Sequence, residues 1–396
     1  MIPKGWSSQK LSSVASIIDC KHRTPEYVKS GIPLVSPGTI KWGALDLISP
    51  VKRVTEEEYR SLMDHCVVEQ GDLVMSRNQS VGVVSYVDSK KPFVLGQDTV
   101  LIKAIHADWR FIYYTLQSDL VQRQIAKSAG GSTFSRINLS DIRALNIKTP
   151  AICEQDKISQ ILTAWDKAIS VTESLLANSQ QQKKALMQQL LTGNKRLLDE
   201  NGVRFSGEWK ITKLIQMGKV VSGGTPDTNM AMYWEGDILW LTPTDVTALT
   251  GRFVSNTSRK ITPAGLLNSS AVLLPKGSLM VCTRATIGAL AISTSEICTN
   301  QGFKNIIPNE GFNIEFIYYL LQMNTNEMIK KSSGSTFLEL SKKDFETLSF
   351  SCPFIKEQQK IAAVLSAADT EISTLEKKLA CLKDEKKALM QQLLTG

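Results

Sequence analysis

Lys183-Lys184-Ala185-Leu186-Met187-Gln188-Gln189-Leu190-Leu191-Thr192-Gly193 recurs letter for letter at residues 386–396, an offset of 203. An eleven-residue perfect match is far beyond chance, and self-similarity at a long period signals a repeated structural unit. The match extends upstream at the same offset. Glu154-Gln155-x-Lys157-Ile158 aligns with Glu357-Gln358-x-Lys360-Ile361, Gly131-Ser132-Thr133-Phe134 with Gly334-Ser335-Thr336-Phe337, and Trp6 with Trp209. Further inside the halves the offset drifts. Thr24-Pro25 meets Thr225-Pro226, Phe111-Ile112-Tyr113-Tyr114 meets Phe316-Ile317-Tyr318-Tyr319, and Gly82 meets Gly288. The chain therefore reads as a tandem duplication of a globular domain followed by a helix, with small insertions in the domains.

The helical parts carry a sustained seam. Ile158, Leu162, Trp165, Ile169, Thr172, Leu176, Ser179, Leu186 and Leu190 fall at alternating steps of four and three. Ile361, Leu365, Ala368, Ile372, Leu375, Leu379, Leu382, Leu389 and Leu393 repeat the pattern. That spacing is the a/d stripe of a coiled coil, with Lys183 and Lys386 as charged intruders. Pro150 and Pro353 precede the two helices, and Gly193 and Gly396 follow them, as start and stop signals do. Each helix covers about 33 residues between its outer seam positions, roughly 50 Å at 1.5 Å per residue. If the halves obey a pseudo-twofold axis, helix two returns from domain two to domain one. The helices are then antiparallel, and the C-terminus lies near Trp6. The other reading is two unrelated surface helices, each packed on its own domain.

Both halves mix short strand-like runs with helical stretches. Leu73–Ser76, Val81–Val87, Leu279–Cys282 and Ile287–Ile292 read as strands, and Phe111–Leu120 and Phe316–Gln322 as helices. The fold class expected is α+β: two similar domains separated by two long helices in an antiparallel coiled coil. The boundaries expected are a first domain over 1–150, a central helix segment over 151–195, a second domain over 196–352 and a C-terminal helix segment over 353–396.

Composition narrows the function classes. The 396 residues carry a net charge of +8, about +5 of it on residues 1–150. This moderate basic bias permits a phosphate-facing surface without demanding one. The seven cysteines (20, 66, 153, 282, 298, 352, 381) are scattered with no Cys-x-x-Cys pair, which indicates neither a disulfide framework nor a zinc site and suits a reducing cytoplasm. No apolar run is long enough for a membrane span, and Met1–Trp6 has no apolar signal core. There is no Gly-x-x-x-x-Gly-Lys-Ser/Thr loop, no Gly-x-Gly-x-x-Gly fingerprint and no Pro-Pro dipeptide. A duplicated unit without a catalytic or metal motif favours a binder over an enzyme.

Three loop elements recur as candidate ligand contacts. Arg77-Asn78-Gln79-Ser80-Val81-Gly82 aligns with Arg284-Ala285-Thr286-Ile287-Gly288 between strand-like runs. An arginine there can fork onto guanine O6/N7 or a phosphate, or stand as a surface residue of a hairpin. The Gly-Ser-Thr-Phe elements offer Ser132, Thr133, Ser335 and Thr336, followed in half one by Arg136 and Asn138. Small residues there let backbone approach a ligand and hydroxyls bond phosphates, or form a turn anchored by the Phe. The third is Lys21-His22-Arg23-Thr24-Pro25 against Ser222-Gly223-Gly224-Thr225-Pro226, a contact loop or a Pro-terminated turn. The paired tyrosines read as helix core. The three histidines are isolated and read as structural or surface residues.

The ends Lys-Lys-Ala-Leu-Met-Gln-Gln-Leu-Leu-Thr-Gly, the Glu-Gln-x-x-Ile helix starts, the Ser222–Pro226 loop and the Arg-x-x-Ile-Gly element resemble those of type I restriction-modification specificity subunits. The order domain, helix, domain, helix is similar too. The resemblance implies two target-recognition domains, each reading one half of a split double-stranded DNA site, with no catalytic centre in this chain. It implies that the helices dock two modification subunits carrying S-adenosylmethionine, and that restriction subunits using ATP and Mg join them in the cytoplasm in defence against foreign DNA. Half one departs from the family pattern at His22-Arg23 and in the Arg77 loop, which suggests that the two half-sites differ. A specificity module of a two-subunit enzyme, with cleavage and methylation fused in the partner, fits the same residues. A protein-only coiled-coil adaptor is the alternative of a different class.

Overall fold

The computed structural model describes residues 3–49, 52–130, 135–334 and 338–395. The chain divides into two compact units, one of residues 1–173 with 378–396, the other of residues 174–377. Each unit therefore takes the beginning of one long helix and the end of the other. Those helices run over Ile152–Leu190 and Ile355–Leu393.

The two units share one strand plan among their described residues. In the first, a five-stranded sheet has the order Ala15–Asp19, Thr99–Ala104, Leu73–Ser76, Val84–Tyr86, Gly43–Ala44. In the second the order is Gly218–Ser222, Phe303–Pro308, Leu279–Cys282, Leu290–Ser293, Phe253–Val254. Both end on a parallel edge pair after antiparallel neighbours. Three-stranded sheets are centred on Ile32–Val35 and on Trp234–Leu241. A two-stranded ladder ties each domain's first strand to its last, Ser7–Lys10 to Asn146–Thr149 and Lys210–Lys213 to Ser349–Cys352. The α+β class and the duplication thus extend to strand order. The expected strands over Leu73–Ser76 and Leu279–Cys282 form at those residues; those expected over 81–87 and 287–292 shorten to Val84–Tyr86 and Leu290–Ser293.

Within each unit the helix pair is antiparallel. In the first unit Lys386 Nζ meets Asp166 Oδ1 at 2.6 Å and Lys383 meets Glu173 at 2.7 Å. In the second, Lys183 Nζ meets Asp369 Oδ1 at 2.5 Å, and Ser179 Oγ bonds Glu371 at 3.1 Å. The two lysines that interrupt the seam are therefore its polar locks. Each shared aspartate also accepts the hydroxyl of a buried tyrosine, Tyr114 at 2.7 Å and Tyr319 at 2.5 Å.

The repeated Glu-Gln motif has an equally specific use. Gln155 accepts the backbone N–H of Asp108 and donates to the carbonyl of Pro150; Gln358 accepts from Asn313 and donates to Pro353. Each buried glutamine thus ties the start of a long helix to the N-cap of the domain's tyrosine helix, Trp109–Gln117 or Ile314–Met323. The paired tyrosines are core residues as expected, 0–8% exposed.

Seam residues at the helix ends belong to the domain cores. Ile158 and Leu162 pack in the first unit with Leu394, Leu389 and Leu393, and Trp6 lies against the same core. Leu190, Ile361 and Leu365 pack in the second with Leu186. These side chains are covered within their own unit. Ile158, Leu162, Leu190, Ile361 and Leu365, expected both at the helix seam and in partner docking, thus pack across the seam and into the domain cores, and the docking part of that expectation is corrected to core packing. Trp165, Ile169, Leu176, Ile372, Leu375 and Leu379 stay half-buried along the pair. The first long helix ends at Leu190, and Gly193 beyond it has φ +75°; Gly396 lies outside the described residues.

Candidate nucleic-acid interface

The candidate loops of each domain leave one end of its five-stranded sheet, and the local geometry corrects their alignment. The first residue of each loop tip is fixed by a backbone bridge, Asn78 to Arg136 and Arg284 to Glu339. Ile137 donates to the carbonyl of Arg77, and Leu340 donates to that of Thr283. Gln79 and Ala285 share the left-handed backbone, φ +60° and +62°. Gly82 and Gly288 follow at φ +79° and +89°, each with no room for a Cβ. Arg284 is therefore the counterpart of Asn78, and Arg77 that of Thr283. The pairing of the two arginines was off by one residue.

Arg77 is also not a loop-tip arginine. It is 5% exposed. Its Nη1 donates to Asp19 Oδ1 at 2.8 Å and its Nε to the carbonyl of Ile137 at 3.1 Å. This buried fork straps the end of the first strand to the segment leading into the Leu139–Ala144 helix. With both edges of the guanidinium engaged, the readout of guanine expected of Arg77 is corrected to a structural tie.

The other candidate cations of domain one, Lys21, Arg23 and Arg136, are paired as well. Arg23 forks onto Glu58 at 3.1 and 2.6 Å, Lys21 meets Asp64 at 2.7 Å, and Arg136 meets Asp98 at 2.7 Å. Asn78 reaches the same Asp98 at 3.5 Å. Gln79 and Asn138 are exposed. Domain two differs. Arg284 is exposed, and its guanidinium has no hydrogen bond or ion pair among the described residues; Thr286 beside it is exposed. Ser132, Thr133, Ser335 and Thr336 lie outside the described residues.

Gly223 and Gly224 are explained by packing within the domain. A Cβ on Gly223 would sit 1.9 Å from the Asn300 carbonyl oxygen, and one on Gly224 2.3 Å from Ser270. Their close approach is to this chain's own backbone, with Gly224 also accepting the Trp240 indole N–H at 2.9 Å. Neighbouring threonines share a partner that sequence reasoning missed. Gln97 donates to Thr24 Oγ1 at 3.0 Å, and Thr225 donates to Gln301. The glutamines stand 204 residues apart, each just before a buried strand of the central sheet. That shared offset was the available signal. Gln97, Gln301 and Thr24 are exposed, giving both domains an amide beside a hydroxyl at the same place.

His22, read from sequence as an isolated histidine, has side-chain ligand atoms of Asp19 and Cys20 within 4.8 Å of its own. Asp19 is already held by Arg77 and lies 3.2 Å from His22. Burial pushes the thiols of Cys282, Cys298 and Cys352 up to about 12, so these are inert packing groups rather than nucleophiles. Among the described residues no helix is long and apolar enough to cross a membrane.

A duplicated reader with polar loops at one end of each sheet defines a class of two-domain binding proteins, and comparison with known proteins specifies it. The family of the type I restriction modification DNA specificity domain matches residues 3–178 and again 206–383, and the chain belongs to that family. It is 40% identical over 172 residues to the type I restriction enzyme MjaIX specificity subunit of Methanocaldococcus jannaschii, a match covering 43% of this chain and 40% of that protein. It is 30% identical over 223 residues to the EcoR124I/EcoR124II specificity subunit of Escherichia coli, covering 54% and 52%. The chain's match thus spans about half or less of these two relatives, whereas a match at 24% identity covers 94% of the MjaX specificity subunit of the same archaeon. Among solved structures, the type I restriction-modification S subunit from M. genitalium superposes with a TM-score of 0.62 at 16% identity, over 100% of this chain and 97% of that one. The HsdS subunit from Thermoanaerobacter tengcongensis gives 0.52 at 19%, over 100% and 98%. At these identities the structures show a shared fold.

Proposed function

We propose that this chain is the non-catalytic DNA-recognition subunit of a type I restriction-modification complex, each domain reading one half of a split double-stranded site. The observation that carries the reading is the pair of specificity-family matches, one on each copy of the same strand plan. Two readers of one plan but different loop chemistry suit two different half-sites. Domain one offers Asn78, Gln79 and Asn138 beside neutralised cations, whereas domain two offers the unpaired Arg284 with Thr286. Amides pair with adenine edges and a guanidinium with guanine or phosphate, so the domains would read unlike sequences.

The exposed parts of the helix pair would dock two modification subunits carrying S-adenosylmethionine, with restriction subunits using ATP and Mg in the cytoplasmic assembly. The modest net charge implies that partner subunits supply further phosphate contacts, and that affinity falls steeply with salt. Selection from a random duplex pool by the chain assembled with its modification partner tests the reading. Recovery of a bipartite sequence with an unspecified gap is expected. Recovery of no enriched sequence would reduce the chain to a protein adaptor, and one contiguous motif would remove the division of labour.

A further inference from the structure

Lys304 lies in the Phe303–Pro308 strand between Gly218–Ser222 and Leu279–Cys282, paired in register with Ser222 on one side and Val281 on the other. Both neighbours lead directly into candidate loops, Ser222 into Gly223 and Val281 into Thr283–Arg284. The lysine is only 7% exposed. Among the described residues its ammonium has no hydrogen bond or ion pair, although Glu339 is close enough to act on it through space, with Lys342 opposing. A buried charge normally has a partner, because leaving water uncompensated is costly. Burial accordingly pulls its pKa below that of an ordinary lysine.

Domain one shows what such a cation looks like when it is satisfied. The residue opposite Asp19 in the same register is Val100, so Asp19 stands where Ser222 stands and Val100 where Lys304 stands. The cation there is Arg77, from the neighbouring strand's end, and Asp19 neutralises it at 2.8 Å. Both domains thus keep one buried cation at the loop end of the central sheet. Only in domain two is no acid bonded to it among the described residues.

We infer that the partner missing from Lys304 is a phosphate of the bound DNA, which makes Lys304 a built-in backbone contact of domain two with no equivalent in domain one. This rests on the proposed DNA-reading function and adds to it a residue that no sequence motif singled out. A phosphate suits the site better than a base edge because a lysine is a point charge without planar selectivity.

The test uses the assembled complex and the duplex recovered in the selection above, titrated over a range of salt. Each phosphate neutralised contributes about 0.9 to the slope of log affinity against log salt. Lys304→Met should lower that slope by about one and weaken binding several-fold without changing the bases selected, while its melting temperature stays level or rises. Lys304→Arg should retain the slope. Ser222→Asp, which installs the acid that domain one carries, should cost the same slope with the lysine still present, and it keeps the test open if Lys304→Met folds poorly. Unchanged slope and affinity in folded Lys304→Met or Ser222→Asp would overturn the assignment. Failure of the unmutated complex to bind any specific duplex would instead overturn the functional reading on which it rests.

Discussion

Arg77 and Arg284 sit one position apart on equivalent loops and have opposite fates. The first is buried and bonded on two sides to Asp19 and Ile137; the second is exposed with no side-chain partner among the described residues. The same contrast recurs across the two domains. Lys21, Arg23 and Arg136 are all ion-paired in domain one, although it carries the larger net charge. In domain two Arg252 fills the space between sheet and helix, bonding Glu315 at 2.8 Å and Ser366. In domain one the matching edge residue is Gly43, which opens onto a cavity of about 920 Å³ rimmed by Trp42, Tyr86 and Trp109. Net charge counted along a sequence therefore says little about which cations are free for a polyanion. What decides is whether an acid has been placed beside each one.

The largest effect separating the two arginines is on stability. Arg77→Ala leaves Asp19 without its main partner, and breaking such a buried pair should cost about 2–4 kcal/mol. Hydrogen exchange resolved to the Leu73–Ser76 strand would show it as lost protection confined to domain one. Full protection combined with relaxed reading of one half-site would reverse the roles assigned here.

Arg284→Ala should do the opposite, shifting stability by no more than about 0.5 kcal/mol. If the guanidinium reads a base, discrimination at one half-site falls by about 1–3 kcal/mol. Uniform weakening over all sequences would make it a phosphate contact. Unaltered binding would leave domain two without its exposed arginine reader.

Tyr114 and Tyr319 sharpen the comparison from the other side, since here the domains match. Burial raises both hydroxyl pKa values above the ordinary tyrosine value near 10, and Asp166 and Asp369 add to it. The folded state thus prefers the neutral form. The stabilisation is complete below about pH 10 and is lost as pH rises beyond it. Denaturation at pH 9 and at pH 11 should show a smaller drop for a Tyr114→Phe/Tyr319→Phe chain than for the unmutated one. Equal drops would mean that the tyrosines do not set the alkaline limit.

The smallest effect belongs to Arg23. Its ion pair with Glu58 lies at the surface, where solvent screens it, so Arg23→Ala should leave the melting temperature nearly unchanged and leave the selected bases alone. A several-fold loss of DNA affinity would return Arg23 to the interface.

Much of the architecture was legible because long helices preserve period and exact repetition. The seam, its antiparallel partner and the core role of the tyrosines are legible in sequence, and the intruding lysines stand out as exceptions, although the acids that pair with them do not. The loops were less legible for a physical reason. The strand of domain one that ends at Asp19 is followed by two more residues before Thr-Pro than its counterpart ending at Ser222, and Arg77 and Arg284 are the same residue type one position out of structural register, so matching by residue identity misaligns them. The acid that buries Arg77 stands 58 residues away in sequence, beyond any local pattern. Gln97 and Gln301 escaped notice because each is a lone amide whose meaning comes only from the threonine across the loop.

Two domains of one plan with different loops should read their half-sites independently of each other. Replacing residues 196–352 with the corresponding domain of another specificity subunit, and mapping methylated adenines in cells that carry the hybrid and its modification partner, tests it most directly. The expected outcome is a methylated sequence in which one half changes and the other half, assigned to domain one, is retained. A hybrid that remains active and changes both halves, or neither, would contradict it.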